Sequence, residues 1–125
     1  MTVSMLKTIV IHTMMILALW FGLAVPVIAA DFATTKPKAE QGHADAQYRL
    51  ALMYDYGEEV EQDYAQAFKW YQKSANQGYA NAQYNIGWMY KNAHGMPQDN
   101  AKAVKWYLKA ANQGYASAQA TLGSM

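Results

Sequence analysis

One phrase occurs three times in the chain at a spacing of 36 residues: GHADAQY at 42–48, GYANAQY at 78–84 and GYASAQ at 114–119. Residues 42–77 and 78–113 are identical at 18 of 36 aligned positions. Identity at a fixed period marks a tandem repeat, in which each unit is one supersecondary motif and neighbouring units stack. The sequence is therefore interpreted unit by unit.

Each unit has the apolar periodicity of two helices. In the first half, small and apolar residues recur at i, i+4, i+5 and i+8, which predicts helix A: Ala46, Leu50, Ala51 and Tyr54, with Ala82, Ile86, Gly87 and Tyr90. Helix B is expected to start at Asp63 or Asp99, whose carboxylates can accept from free backbone N–H groups. Its predicted buried side is Ala67, Trp70, Tyr71, Ser74 and Ala75, with Ala103, Trp106, Tyr107, Ala110 and Ala111. Each helix B ends at Asn-Gln-Gly, where glycine can adopt the left-handed conformation that closes a helix.

These residues resemble a known family. The phrase Ala-Gln-Tyr-x-[Leu/Ile]-[Ala/Gly]-x-Met-Tyr, a glycine-bearing loop into Gln-Asp, and then Lys-Trp-Tyr-x-Lys-[Ser/Ala]-Ala-Asn-Gln-Gly are similar to the Sel-one-like repeat over residues 43–125. The resemblance implies an all-α fold of tandem helix-turn-helix repeats, stacked as a short right-handed α-solenoid. The family's Gly-x-Gly loop is incomplete here, since Glu59 replaces the second glycine after Gly57 and Ala93 replaces the first glycine before Gly95. We therefore expect the two A–B loops to differ in shape.

The repeat register divides the chain into segments. Residues 43–78 form the first repeat, 79–114 the second, and 115–125 a partial third repeat that we expect to cap the stack. In the lead-in, Thr34 stands where Trp70 stands in the first repeat, and Pro37 would break a helix interior. Residues 31–42 are therefore predicted to be an irregular N-terminal arm.

The first thirty residues are typical of a signal peptide. Lys7 is the only charge before Asp31, and it precedes an apolar stretch over 14–25, Pro26 and small residues at 27–30. We expect cleavage after Ala29 or Ala30 and a periplasmic or secreted protein with no membrane contact afterwards. The alternative is an uncleaved anchor over 9–30. The chain has no cysteine, which excludes disulfides, thiolate zinc sites and thiol nucleophiles.

The charge balance argues against a polyanionic partner. The formal net charge is +1, and it is zero from Asp31 onward, so neither nucleic acid nor anionic lipid is an expected partner. The charges are unevenly placed, with −5 over 31–63 and +5 over 64–125. Such a dipole could orient a partner or favour weak head-to-tail self-association.

Catalytic and metal-binding motifs are largely missing. The only Ser-x-x-Lys, sought because some family members are described as handling β-lactams, lies at 4–7 inside the predicted signal peptide. His43 and His94 have no i, i+4 partner, so we interpret them as surface histidines. The loop over 55–63 carries five acids without the spacing of a calcium loop. We expect no catalytic residue, metal or cofactor.

Binding is better sought where the units differ. Trp70 and Trp106 are repeated and are therefore assigned to packing. The second stripe of helix A, opposite the core, differs between units and forms an aromatic-rich wall that suits a peptide. We predict that a partner binds there: Asp45, Tyr48, Leu52, Asp55 and Tyr56 of the first unit, and Asn81, Tyr84, Trp88, Lys91 and Asn92 of the second. The alternative is that Tyr48, Tyr84 and Trp88 only fill space between A helices.

These observations favour an exported, non-catalytic module that binds another protein or peptide. The family resemblance implies an adaptor or scaffold, or an inhibitor such as a periplasmic immunity protein. Two alternatives stay open: a cell-wall or β-lactam hydrolase, and a structural fragment of a longer repeat array.

Overall fold

The computed structural model describes residues 27–125, with side chains from residue 31 onward. These residues form six helices and no strand: α1 (Val27–Glu40), α2 (Ala44–Tyr56), α3 (Tyr64–Asn76), α4 (Ala80–Lys91), α5 (Asn100–Asn112) and α6 (Ala116–Gly123). Phe32–Met125 is one compact unit in which α2 to α6 pack in chain order. The predicted all-α fold of stacked helix pairs is confirmed, with α2 and α4 as the A helices and α3 and α5 as the B helices. Residues 1–26, which hold most of the predicted signal peptide, lie outside the described part.

The helix ends follow the predicted local chemistry. Asp63 Oδ1 accepts the backbone N–H of Gln66 at 3.0 Å, and Asp99 repeats this cap on α5 at 2.9 Å. Gly78 closes α3 in the left-handed region, with φ 91°. The preceding Gln77 donates from Nε2 to the backbone oxygen of Gly42 and to Gln47 Oε1. The Asn-Gln-Gly phrase therefore both ends helix B and ties it to the start of helix A in the same unit.

The core lies where the apolar stripes predicted it. Leu50, Tyr71, Ile86 and Tyr107 are fully buried, together with the small residues that let the helices approach. The prediction that both repeated tryptophans are buried is correct only for Trp70, which is 8% exposed. The equivalent Trp106 is only half-buried. The reason is that α3 packs between α2 and α4, while beyond α5 the described chain offers only the eight-residue α6.

The prediction of an irregular arm over 31–42 is wrong, since α1 runs to Glu40. Its register is that of helix B, because Thr35 and Ala39 are buried 36 residues before Tyr71 and Ala75. Gln47 Nε2 donates to the oxygen of Ala39 at 3.2 Å, the bond that the second and third repeats also make. The N-terminal helix is thus a divergent helix B.

Two substitutions conceal this helix in the sequence. Thr34 lacks the indole of Trp70, but Phe32 is retained and packs edge-on to Tyr54 at 6.4 Å, as Phe68 does to Tyr90. Proline has no N–H, so Pro37 cannot donate the helical hydrogen bond to the backbone oxygen of Ala33. Ala33 and Pro37 lie on the exposed side of α1. The burial of Thr35 and Ala39 on the opposite side of α1 stabilises the helix despite the loss of this single hydrogen bond.

The expectation that the two A–B loops differ in shape is also wrong. Glu59 has φ 62° where the second loop has Gly95 at 82°, and Ala93 has φ 51° where the first loop has Gly57 at 69°. Both loops are held by a glutamine that donates to the end of helix A, Gln62 to the oxygen of Asp55 and Gln98 to that of Lys91. This repeated bond imposes one backbone shape, and the residues without glycine's freedom adopt it at a cost of about 1 kcal/mol.

Candidate functional site: the junction cavity

A cavity of about 330 Å³ lies at the junction of the first and second repeats and is partly open to solvent. We call it the junction cavity. The end of α2, the first A–B loop and the first residue of α3 form one side, and α4 with the second A–B loop forms the other. Its lining consists of Asp55, Tyr56, Gln62, Tyr64, Tyr84, Asn85, Trp88, Met89 and His94.

Asp55 is the acidic group of this cavity, and its carboxylate is held from two sides. The Tyr71 hydroxyl donates to Oδ2 at 3.0 Å, and His94 Nε2 lies 3.0 Å from Oδ1. The Asp55 side chain is 13% exposed, so both contacts are shielded from bulk water. Burial, and then the nearby Asp55 charge, raises the pKa of Tyr71 above its ordinary value. Tyr71 therefore stays protonated at neutral pH and remains a hydrogen-bond donor to the carboxylate.

Aromatic rings form the walls around Asp55. The Tyr64 ring centroid is 3.8 Å from that of His94, and the Trp88 ring meets His94 edge-on at 5.0 Å. His94 is thereby fixed between Tyr64 and Trp88. Trp88 is 41% exposed and Tyr56 is 67% exposed, both high for such large side chains. The cavity thus offers rigid aromatic surface to solvent beside an oriented carboxylate.

The repeat does not reproduce this arrangement at the equivalent positions of the next junction. The residue 36 positions after Asp55 is Lys91, and the residue 36 positions before Trp88 is Leu52. The Tyr107 hydroxyl, equivalent to that of Tyr71, is buried without a hydrogen-bond partner among the described residues. Burial, with a smaller contribution from Tyr84, raises the pKa of Tyr107 to about 12. The cavity is therefore a property of one junction rather than of the repeat.

Four of the ten predicted site residues line the cavity: Asp55, Tyr56, Tyr84 and Trp88. The others lie elsewhere. Tyr48 is half-buried against the rings of Tyr71 at 5.8 Å and Tyr79 at 5.2 Å. Leu52 is partly buried and packs on the core. Burial raises the pKa of Tyr48. Outside the cavity lining are Asp45 and Asn81 near the helix starts, Lys91 at the end of α4, and Asn92, which donates to the oxygen of Trp88.

Sequence reasoning missed five lining residues: Gln62, Tyr64, Asn85, Met89 and His94. The interpretation of His94 as only a surface histidine is incomplete, because its partly exposed side chain (24%) also contacts Asp55. Its loop position in the sequence did not show that Asp55 lies beside it. A signal existed, since residues 64 and 94 differ from their repeat counterparts Asn100 and Glu58. Within residues 31–125 no group of three or more His, Cys, Asp or Glu side chains is arranged to hold a metal ion.

Comparison with known proteins agrees with this architecture. A solved structure described as a protective antigen present in uropathogenic Escherichia coli strains, displaying an SLR fold, superposes with a TM-score of 0.73 and 46% identity. The match covers 74% of this chain and 20% of the antigen, so the chain spans about a fifth of that protein's length. A Sel1 repeat protein from Oxalobacter formigenes superposes with a TM-score of 0.72 and 36% identity, over 73% of this chain and 68% of that one.

No curated protein sequence matches the chain. The Sel1 repeat matches twice, at residues 44–79 and 80–115, which together make up more than half of the chain. The matched segments begin and end within two residues of the 36-residue units described above. The chain therefore belongs to the Sel1 repeat family.

Proposed function

We propose that this chain is an exported, non-catalytic module that binds another protein by anchoring a side chain of its partner in the junction cavity. Sel1 repeat proteins generally mediate protein–protein interactions. The observation that supports a site here is the exposed aromatic pair Trp88 and Tyr56 beside the oriented carboxylate of Asp55. Aromatic side chains provide large contact area at low entropy cost, and they dominate binding energy at interfaces.

Export is part of the proposal and rests on the N-terminal sequence. The single Lys7, the apolar stretch over 14–25 and the small residues at 27–30 support a cleaved signal peptide and a periplasmic or secreted adaptor or inhibitor. Cleavage after Ala29 or Ala30 would remove the first turn of α1 but keep Thr35 and Ala39, which are buried. No helix within the described residues is long and apolar enough to cross a membrane. Sequencing the mature N-terminus checks this part, and soluble protein that starts at residue 30 or 31 is expected.

A hydrolase is the competing hypothesis. The junction cavity contains a His–Asp pair, the arrangement with which many hydrolases orient a general base. The lining includes no serine, threonine or cysteine that such a base could activate. The cavity therefore supports binding better than covalent catalysis. Hydrolysis of a chromogenic β-lactam or of peptidoglycan by the purified chain, lost on substitution of His94, would overturn the proposal.

The binding proposal is tested by comparative affinity capture from the cell envelope. Wild type is used beside the double variant Trp88→Ala/Tyr84→Ala, with a melting curve for each. A partner captured by wild type and lost by the folded variant supports the cavity as the site. We expect binding to weaken by about 2 to 4 kcal/mol, since aromatic anchors commonly contribute this much. Undiminished capture by a folded variant would exclude the cavity as the anchoring site.

The matched control is Leu108→Ala. Leu108 is an exposed apolar side chain of α5, outside the cavity lining. This variant is expected to capture the partner as wild type does.

A further inference from the structure

We infer that the side chain anchored in the junction cavity is a cation, an arginine or lysine of the partner. This inference rests on the proposed function, because it names the chemistry of the group that the same cavity receives. The first argument is the composition of the lining. It contains three tyrosines, one tryptophan and one aspartate, and no lysine or arginine.

Aromatic rings attract cations through the negative charge density on their faces, with tryptophan the strongest. This fold already uses such contacts. Lys73 Nζ lies 4.4 Å from the Trp70 ring centroid, and Lys109 Nζ lies 4.6 Å from that of Trp106. The Trp88 ring meets the His94 ring edge-on, and 41% of the Trp88 surface is open to solvent. A cation entering the cavity would make the same type of contact.

Asp55 supplies the opposite charge. Each carboxylate oxygen accepts one intramolecular contact, from Tyr71 or from His94, and each has a second lone pair. When Nε2–H of His94 donates to Oδ1, Asp55 is still the only carboxylate of the lining. A guanidinium or ammonium group can then bond to Asp55 without breaking either contact. An apolar occupant would instead remove water from Asp55 and offer no hydrogen bond in return, which is unfavourable.

The loop that contributes Gln62 to the lining carries charge of the same sign as Asp55. Gln62 of the lining belongs to the first A–B loop, which also carries Glu58, Glu59, Glu61 and Asp63. Glu58 and Glu61 are exposed. The net charge over 31–63 is −5, so a basic segment is attracted toward this side of the molecule. The lining and its surroundings therefore select the same charge in a ligand.

The test titrates the full chain with four small probes while backbone amide shifts of residues 84–95 are followed by NMR. The probes are the Nα-acetyl amides of arginine, lysine, citrulline and leucine. Citrulline has nearly the shape of arginine without the charge. We expect saturable shifts with arginine and lysine, and at least tenfold weaker binding of citrulline and leucine. Equal binding of citrulline and arginine, or binding of none of the four, would overturn the inference.

Two variants locate the effect. Trp88→Leu introduces the residue that the first unit carries at this position, Leu52, so the fold is expected to tolerate it. It keeps apolar surface but removes the ring face, and it should weaken arginine binding about two- to fivefold. Asp55→Asn should weaken it about tenfold, because a charged hydrogen bond becomes a neutral one. Glu40→Gln removes the same charge from an exposed position of α1 outside the cavity and should change arginine binding less than about twofold.

These results separate the inference from the proposed function. If capture of the partner depends on Trp88 but folded Asp55→Asn binds as wild type, the cavity is a protein-binding site with an uncharged occupant. If the arginine probe binds but partner capture is unaffected by Trp88→Ala/Tyr84→Ala, the cavity recognises cations and the proposed function is wrong. If the arginine probe does not bind and partner capture is unaffected by Trp88→Ala/Tyr84→Ala, both the inference and the proposed function are rejected.

Discussion

The first and second repeats use the same packing but surround it with different chemistry. Tyr71 and Tyr107 occupy the same position and are both fully buried. The Tyr71 hydroxyl bonds to Asp55, whereas that of Tyr107 has no partner among the described residues, and Lys91 occupies the place of Asp55. Repeated positions hold the stack together, and unrepeated positions decide what each junction can bind.

The junction cavity needs both repeats. Asp55, Tyr56, Gln62 and Tyr64 come from the first unit, and Tyr84, Asn85, Trp88, Met89 and His94 come from the second. Neither unit alone has the acid together with the aromatic wall. Stacking two similar but unequal hairpins therefore creates a site that no single hairpin contains.

The largest expected effect contrasts the two repeated tryptophans. Trp70→Ala should lower the free energy of unfolding by about 3 to 5 kcal/mol, because it leaves a large cavity in the core. Trp106→Ala should cost clearly less, since the ring is half-buried. Urea denaturation of both variants measures the difference. Equal costs would show that exposure of the indole does not govern its contribution, and would make the two units equivalent.

Next in size is an alkaline loss of stability. The pKa of Tyr107 is raised to about 12, above the ordinary value of about 10, so the unfolded chain loses this proton first. The stabilising effect of the neutral phenol is full below pH 10 and disappears as the pH rises toward 12. We expect a loss of about 2 kcal/mol by pH 11.5 from this group.

Urea denaturation at pH 9 and 11.5 checks this loss, with Tyr107→Phe expected to recover part of it. Tyr56→Phe, at an exposed position, is the control and should decline as wild type does. A decline in Tyr107→Phe as steep as that of wild type would place the alkaline sensitivity elsewhere.

A smaller contrast concerns the two buried hydroxyl groups. Tyr71→Phe should cost about 1.5 kcal/mol, because it removes a hydrogen bond to a buried carboxylate. Tyr107→Phe should be neutral within about 0.5 kcal/mol at pH 7, since its hydroxyl has no partner to lose. Thermal or urea unfolding of the pair provides the measurement. A costly Tyr107→Phe would reveal a partner for that hydroxyl in solution.

The smallest effect compares the two loops. Ala93→Gly should stabilise the chain by about 0.5 to 1 kcal/mol, because φ at Ala93 is 51° and glycine adopts this region freely. Glu59→Gly should gain less, since it also removes the carboxylate that accepts the backbone N–H of Phe32 at 3.1 Å. Melting temperatures of the two variants can be compared directly. A larger gain at Glu59 would mean that this bond contributes nothing.

The sequence by itself determined the repeat, the helices and most of the core. These depend on interactions within a few residues of each other, such as the cap from Asp63 to Gln66 and the apolar stripe through Leu50, and identical phrases repeat them. The sequence did not predict α1, because Thr34 and Pro37 depart from the helix-B pattern that Phe32 and Ala39 retain.

Only the tertiary structure decided the site. Asp55 and His94 are 39 residues apart in the sequence, and they meet because α4 packs against α3, which stacks the second hairpin on the first. The loop shape itself could not be inferred from the glycine pattern, since a tertiary framework and the Gln62 bond impose left-handed backbone on Glu59. The periodicity of a sequence specifies which faces are apolar, but the meeting of unlike side chains depends on how those faces stack in space.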